Sequence, residues 1–487
     1  MNRPIRLLSV GCILLFLALL VNVTYVQYVK AGDLNNDPGN SRAQEAEFSR
    51  ERGPILVADD PVALSRPVKD RFEFLRTYSK PKMYAHLTGF YSYIYGSLGV
   101  ELTENQVLSG SDPRLFVNRV IDLITSQQPQ GGSVLLTVDR AAQRAAYQGL
   151  MDLPGHARGA VVALRPDTGE VLAMASVPSY DPNRLASHDF GQTDKAWDRI
   201  NSAPGEPMFN RAIQGRYPPG SSFKLVTAAA ALQSGGYTPE SPVPGGSSLD
   251  LPLTTTDMVN EGGVSCGGDT ITLTQALAVS CNVAFADVGL DLGPKKIAEQ
   301  AEKFGFGQES LDDLPGEVES VFPAHADQPQ TAFSAIGQFD VAATPLQMAM
   351  VVAGIANDGV VMKPHVVSEV RSPDLETLEE IEPEELSQAV SAHTAKQLQR
   401  MMVQVTEVGT GSTGAIPGIE VGSKTGTAQS SNARAPYAWY VSFAPADNPE
   451  VAVAVFVEKS DTPRGEISGS GLGGPIAKSV MQAVINR

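Results

Sequence analysis

Ser221 and Lys224 stand three apart in Tyr217-Pro218-Pro219-Gly220-Ser221-Ser222-Phe223-Lys224, and these are the residue types and spacing that serine acylation needs. On a helix, that spacing sets both side chains on one face about one turn apart. A lysine that loses its proton through burial and a neighbouring cation can take the hydroxyl proton. The product is a nucleophilic alkoxide made without a histidine. The paired prolines and Gly220 suit a turn leading into a helix, so Ser221 falls in the first turn, where backbone N–H groups favour developing negative charge. The bland alternative is a serine that only caps the helix. The same pattern recurs as Ser79-Lys80-Pro81-Lys82. There Pro81 interrupts the required helical span and no apolar helix is expected to follow, so Ser79 reads as loop.

Two further motifs bear on the same chemistry. Ser280-Cys281-Asn282 places a hydroxyl and a carboxamide side by side near a helix end, in a segment opened by Thr270 or Thr272. Lys424-Thr425-Gly426-Thr427 follows a short strand, Gly418 to Ser423, and Gly426 has no side chain to block a ligand approaching an edge backbone. Each motif alone is weak: Ser430-Ser431-Asn432 also fits Ser-x-Asn, and Lys-Thr-Gly is a common tripeptide. Their order along the chain behind Ser221 makes them a joint signal.

The elements that must position these residues are legible from periodicity. Leu225 to Leu232 is apolar on nearly every side and closes at Gly235-Gly236, which predicts a buried helix behind the nucleophile. Val134 to Asp139 reads as a strand followed by a helix from Arg140. Gly159 to Leu164 and Val171 to Ala175 form a hairpin about Pro166-Asp167-Thr168-Gly169. Trp439 to Ala444 and Val451 to Val457 form another, and Pro475 opens a final helix. The economical arrangement is α+β: an antiparallel sheet built from both ends of a domain, enclosing a helical middle. Asp374 to Glu385 is dense in acids and reads as a solvated excursion.

Ahead of this lies a different kind of sequence. Leu7 to Val26 is an uncharged, mostly apolar run of 20 residues, long enough to cross about 30 Å of hydrocarbon. Arg3 and Arg6 precede it, which predicts a single-pass cell-membrane protein with a cytoplasmic N-terminus and everything after Lys30 outside. No Ala-x-Ala-like site follows promptly, which favours an anchor over a cleaved signal. Residues 32 to about 50 are polar and read as a tether, and Arg52-Gly53-Pro54-Ile55-Leu56-Val57 starts the folded part. The segment to about 133 contains an aromatic turn, Gly89 to Gly96, that reads as packing or a partner surface, and an amphipathic stretch from Arg114 to Ile124. The expected divisions are 1–28 for cytoplasmic tip and anchor, 29–50 for tether, 51–145 for a non-catalytic N-terminal domain and 146–487 for the catalytic domain.

Composition narrows the partners. The formal net charge of -17 over 487 residues argues against nucleic acid. The six histidines show no ligand spacing, so neither a metal nor a cofactor is expected. Cys12 falls within the apolar run, leaving Cys266 and Cys281 as the pair in the outer compartment. They are either a disulfide or two unrelated buried thiols, because spacing alone does not show that they meet.

With these motifs in place the chain resembles the class B penicillin-binding proteins, whose active sites carry the same trio. The likeness extends to Arg52-Gly53-Pro54-Ile55, Leu136 to Asp139, Gly159 to Pro178, Asn210-Arg211-Ala212, Ser334-Ala335-Ile336-Gly337-Gln338 and Thr344 to Ala349. The single anchor and short N-terminal part look most like actinobacterial members. The resemblance implies a penicillin-recognising serine transpeptidase fold with a dimerisation- or pedestal-like N-terminal domain. It implies a D,D-transpeptidase that forms an acyl-enzyme on Ser221 from a D-Ala-D-Ala stem peptide, makes 4→3 cross-links in peptidoglycan and is inhibited covalently by β-lactam antibiotics. In that scheme Lys224 is the general base, Ser280 relays a proton, Asn282 holds the peptide and Lys424 adds positive field. Thr425, Gly426 and Thr427 bind the donor, and the backbone N–H groups of Ser221 and Thr427 form the oxyanion hole. The cysteine at the middle of Ser280-Cys281-Asn282 suggests a disulfide to Cys266 that tethers loop 260–270 to the site. Polymerisation would fall to a membrane glycosyltransferase, alongside divisome or elongation proteins.

A class A β-lactamase needs a Glu-x-x-x-Asn loop, absent between Asn282 and Lys424. A D,D-carboxypeptidase is the runner-up. A β-lactam-sensing or scaffold homologue fits less well with one span and no His-Glu-x-x-His.

Overall fold

The computed structural model describes residues 2–31, 34, 41–115, 130–428 and 435–486. Beyond Leu115, the expected amphipathic stretch lies outside the described residues, as does Ser430-Ser431-Asn432.

Helix α1 (Asn2–Thr24) runs on into a π-helical turn, Tyr25–Val29. Within the 27-residue span Arg3–Val29 the most apolar 18-residue stretch has a mean hydropathy of 2.5 and is exposed, a length and composition fit to cross a bilayer. A second helix, α2 (Ser41–Phe48), lies where a tether was expected. Phe48 stacks on Tyr91 with ring centroids 4.2 Å apart, and Gln44 Nε2 donates to Tyr93 O. One aromatic side chain therefore docks residues 41–48, a contact that the polarity of the whole stretch concealed, and the folded part begins before Arg52.

Strands β1 (Ile55–Val57), β2 (Asp60–Pro67) and β3 (Phe74–Tyr78) follow, then helix α3 (Pro81–Thr88) and strand β4 (Ser133–Leu136). The expectation that Pro81 interrupts the helical span after Ser79 is corrected by α3. Pro81 opens that helix at its first position, where the missing N–H costs nothing. Ser79 stays in the connection, its hydroxyl donating to Pro61 O, and Lys82 is exposed. Between these elements Glu101 is fully buried, and Arg52 and Arg76 each reach its carboxylate at 2.6 Å.

Helix α4 (Arg140–Met151) starts at Asp139, whose carboxylate accepts from Ala142 N. Strands β5 (Arg158–Leu164) and β6 (Val171–Val177) form the first hairpin. The helical middle contains α5 (Lys224–Gln233), α6 (Leu273–Ala278), α7 (Asn282–Lys303) and α8 (Pro345–Ala356). Strands β7 (Val367–Arg371) and β8 (Thr377–Glu380) precede α9 (Ala392–Glu407). Strands β9 (Gly422–Ala428), β10 (Tyr437–Ala444) and β11 (Val451–Lys459) and helix α10 (Gly474–Ile485) complete the fold.

The central sheet has the order β9-β10-β11-β5-β6 and is antiparallel throughout, built from both ends of its domain around the helices. Alternating strand residues serve two cores. Val161, Ala163, Val453 and Val455 pack with Ala142, Ala146 and Leu150 of α4 and Val480 and Val484 of α10. Val162, Ala454 and Phe456 face the helical middle.

The other sheet has the order β8-β7-β4-β1-β2-β3. Its strands β7 and β8 come from the sequence expected to be catalytic, and β7 pairs with β4 from the segment expected to be N-terminal. A boundary after residue 145 would also cut through α4, which packs on the central sheet. The acidic stretch expected as a solvated excursion supplies β8, and Glu379 on that strand pairs with Arg114.

Candidate active site

Ser221 sits in a 3-10 turn, Gly220–Phe223, at the mouth of α5. Every residue of α5 from Lys224 to Leu232 is buried, as an all-apolar helix requires. The turn is held from three sides. Trp439 Nε1 donates to Pro218 O at 3.0 Å, Gly220 N donates to Gly337 O at 2.9 Å, and Ser222 Oγ donates to Pro219 O at 2.7 Å. Gly220 has φ +53, a left-handed conformation that glycine adopts freely. Ser221 itself is half-buried, and among the described residues its hydroxyl makes no hydrogen bond.

Ser280 and Asn282 come from the break between α6 and α7. Thr272 and Gln275 form a capping box that fixes the start of α6. The chain then turns at Ser280, whose φ of +62 is strained for a residue with a side chain, and α7 begins at Asn282. Cys281 provides no side-chain cap. Asn260 does so from a separate loop: its Oδ1 accepts from Asn282 N at 3.0 Å and Val283 N at 3.1 Å, while its Nδ2 donates to Gly246 O and Val264 O. Asn282 Nδ2 donates to Val259 O at 3.0 Å. The same loop is joined covalently to the motif by a disulfide between Cys266 and Cys281, Cα atoms 5.8 Å apart. A closure spanning 15 positions contributes about 3 kcal/mol in the chain-entropy account.

Lys424 lies on β9, an edge strand of the central sheet. It is fully buried, and its Nζ donates to Ser280 Oγ and to Thr425 O, both at 2.9 Å. From the opposite side Lys224 Nζ donates to Ser280 O and to Asn282 Oδ1, both at 2.7 Å, with Ser280 Oγ at 3.4 Å. Lys224, Ser280, Asn282 and Lys424 thus form one directly bonded cluster. Gly426 has a structural duty different from the one read in the sequence. A Cβ there would meet Pro219 O at 2.8 Å and Ser222 N at 3.2 Å, so its bareness admits the nucleophile turn. On the same strand Thr425 is buried with its hydroxyl 2.6 Å from Thr410 Oγ1, and Thr427 is half-buried.

The electrostatics follow from this burial. Desolvation, and then repulsion from Lys424, hold Lys224 well below the usual lysine range, with Glu261 pulling the other way. Desolvation brings Lys424 down to about 7, again opposed by Glu261. A neutral Lys224 amine has two N–H donors and one lone pair. Ser280 O and Asn282 Oδ1, both at 2.7 Å, accept from those donors, and the Ser280 hydroxyl lies 3.4 Å away. Among the described residues no cluster of His, Cys, Asp and Glu could hold a metal ion.

The motifs did not disclose Asn260, Glu261, Gly337 or Thr410. Asn260 and Glu261 lie in a polar loop without periodicity. Gly337 stood only within Ser334-Ala335-Ile336-Gly337-Gln338 as a point of likeness. Its φ is +72, and a Cβ there would lie 2.2 Å from Gly220 O.

Residues 159–482 match the penicillin binding protein transpeptidase domain, and residues 52–134 match the penicillin binding protein A dimerisation domain. The chain belongs to the penicillin-binding protein transpeptidases, and within them to class B. It is 42% identical over 495 aligned residues to the peptidoglycan D,D-transpeptidase PbpA of Mycolicibacterium smegmatis, covering 100% of this chain and 99% of that one. Against PbpA of Mycobacterium tuberculosis the identity is 39% over 490 residues, with the same coverage. The solved ceftriaxone acyl-enzyme complex of penicillin-binding protein A from M. tuberculosis has a TM-score of 0.87 and 39% identity, covering 91% of this chain and 100% of that one.

Proposed function

We propose that this chain is a membrane-anchored peptidoglycan D,D-transpeptidase that works through an acyl-enzyme on Ser221 and is blocked when a β-lactam acylates the same oxygen. The observation that carries the reading is the buried cluster of Lys224, Ser280, Asn282 and Lys424 beside the Ser221 turn. Ser221 Oγ attacks the carbonyl carbon of the penultimate D-Ala as its proton passes to the Lys224 lone pair. The oxyanion rests on the backbone N–H groups of Ser221 and Thr427, each such donor contributing about 3–4 kcal/mol in the transition state. The C–N bond then breaks, a proton reaches the departing nitrogen through the Ser280 hydroxyl, and D-Ala leaves. An amine of a second stem peptide attacks the ester, its proton returns to Ser221, and a 4→3 cross-link results. Lys424 supplies positive field, and Thr425 and Thr427 hold the donor's terminal carboxylate.

The D,D-transpeptidases among its relatives and the β-lactam acyl-enzymes of a homologue support this reading. Arg3 and Arg6 in the first turns of α1, ahead of its apolar run, favour a cytoplasmic N-terminus and a catalytic domain on the outer side. Residues 52–134 match a dimerisation domain, which fits a division of labour in which a membrane glycosyltransferase polymerises the glycan, with divisome or elongation proteins as docking candidates. The test supplies full-length protein with a D-Ala-D-Ala stem peptide and an amine acceptor. Cross-linked product with D-Ala released in equal amount is expected; D-Ala release without cross-linking would make it a carboxypeptidase.

A further inference from the structure

Between α9 and β9 the chain passes through Val408-Gly409-Thr410-Gly411, a segment that touches both walls of the site. On one side Thr410 N donates to Ala278 O at 3.1 Å, two residues before Ser280. Gly409 is pressed so close to that carbonyl that a Cβ would lie 2.2 Å from its oxygen. On the other side the segment is fixed to β9 and its neighbour. Thr406 Oγ1 and Ser423 Oγ are 2.7 Å apart and buried, a Cβ on Gly411 would lie 2.1 Å from Ser423 Oγ, and Tyr440 Oη donates to Gly411 O at 2.6 Å. Held at both ends, Thr410 places its own hydroxyl 2.6 Å from Thr425 Oγ1.

A hydroxyl has one proton to give and two lone pairs. Thr425 can offer its proton to a substrate carboxylate only if it is not spent on Thr410. The contact between the two threonines therefore has a productive direction, from Thr410 to Thr425, and a chain of this kind strengthens the outer bond.

We propose that Thr410 is a positioning residue for carboxylate recognition: its hydroxyl donates to Thr425 Oγ1 and turns the Thr425 proton toward the terminal carboxylate of the donor peptide or β-lactam. This rests on the role proposed above for Thr425. It also makes the Gly409-Thr410-Gly411 segment a bridge that keeps the Ser280 hinge and β9 in register.

The test uses full-length protein in detergent and two probes, penicillin G and its methyl ester, which lacks the free carboxylate. The readout is the ratio of their second-order acylation rates. Thr410→Val, which keeps the branched shape and loses the hydroxyl, is expected to lower that ratio about tenfold, as for a lost hydrogen bond to a charged group. Thr410→Ser is expected to restore it, and Thr425→Val to lower it at least as far. Equal slowing of both probes in Thr410→Val, or an unchanged ratio, would overturn the proposal and leave Thr410 a packing residue. Thr425→Val with an unchanged ratio would instead overturn the reading of Thr425. Thermal unfolding of each variant accompanies the rates, and should Thr410→Val fail to fold, the ratio in Thr410→Ser against Thr410→Ala decides.

Discussion

Lys224 Nζ lies 2.7 Å from Asn282 Oδ1, so the amine proposed as the general base is oriented by the carboxamide of the second motif. This contact takes one of the amine's donors and helps keep its lone pair open. Replacing the carboxamide by a carboxylate would reverse its electrostatic effect. In Asn282→Asp the new charge beside Lys224 Nζ holds the proton on the amine. Acylation by penicillin is expected to slow by roughly 10²–10⁴, the usual worth of a general base. An unchanged rate would contradict the orientation argued for Lys224.

In their proposed roles the two buried lysines give the reaction a defined pH profile. Lys224 must be neutral, so the rate rises as pH passes upward through its depressed pKa. Lys424 must be charged, so the rate falls as pH passes upward through about 7. The second-order acylation constant, which reports the free protein, is therefore expected to be bell-shaped with its alkaline limb near pH 7. A rate climbing without a maximum to pH 10 would contradict it.

Gly426 tests the contact between β9 and the nucleophile turn. In Gly426→Ala the new methyl group meets Pro219 O at 2.8 Å, and backbone must shift to admit it. Misplacement of a reacting group by about 1 Å costs on the order of 10²-fold. Acylation is expected to fall by about that factor, with β9 intact by circular dichroism. Unimpaired acylation would show that the turn tolerates a side chain there.

What the sequence made legible follows from where the information lies. Ser221, Lys224, Ser280, Asn282 and Lys424 stand in short contiguous motifs whose glycines and prolines mark the local backbone, so spacing alone brought them to notice. The buried α5 was readable because it is apolar on all sides, and the two hairpins because period-2 patterning with a turn between is a local signal. The six-stranded sheet was not readable, because nothing local tells β7 that its partner is β4, more than 200 positions earlier. Asn260 escaped for a similar reason: a helix cap is ordinarily sought next to the helix, and this one arrives from a loop 22 positions away. Residues 41–48 were misread because a single stacking phenylalanine outweighs a polar average. Pro81 was misread because proline breaks a helix in its interior and opens one at its first position.

The most direct test of the whole account is intact-mass measurement of full-length protein after exposure to penicillin, beside Ser221→Ala treated identically. The account predicts a stable adduct of one penicillin on the wild type, mapped to the peptide containing Ser221, and none on the variant. An adduct retained by Ser221→Ala, or a wild type that stays unmodified with the drug intact, would contradict the assignment of Ser221 as nucleophile.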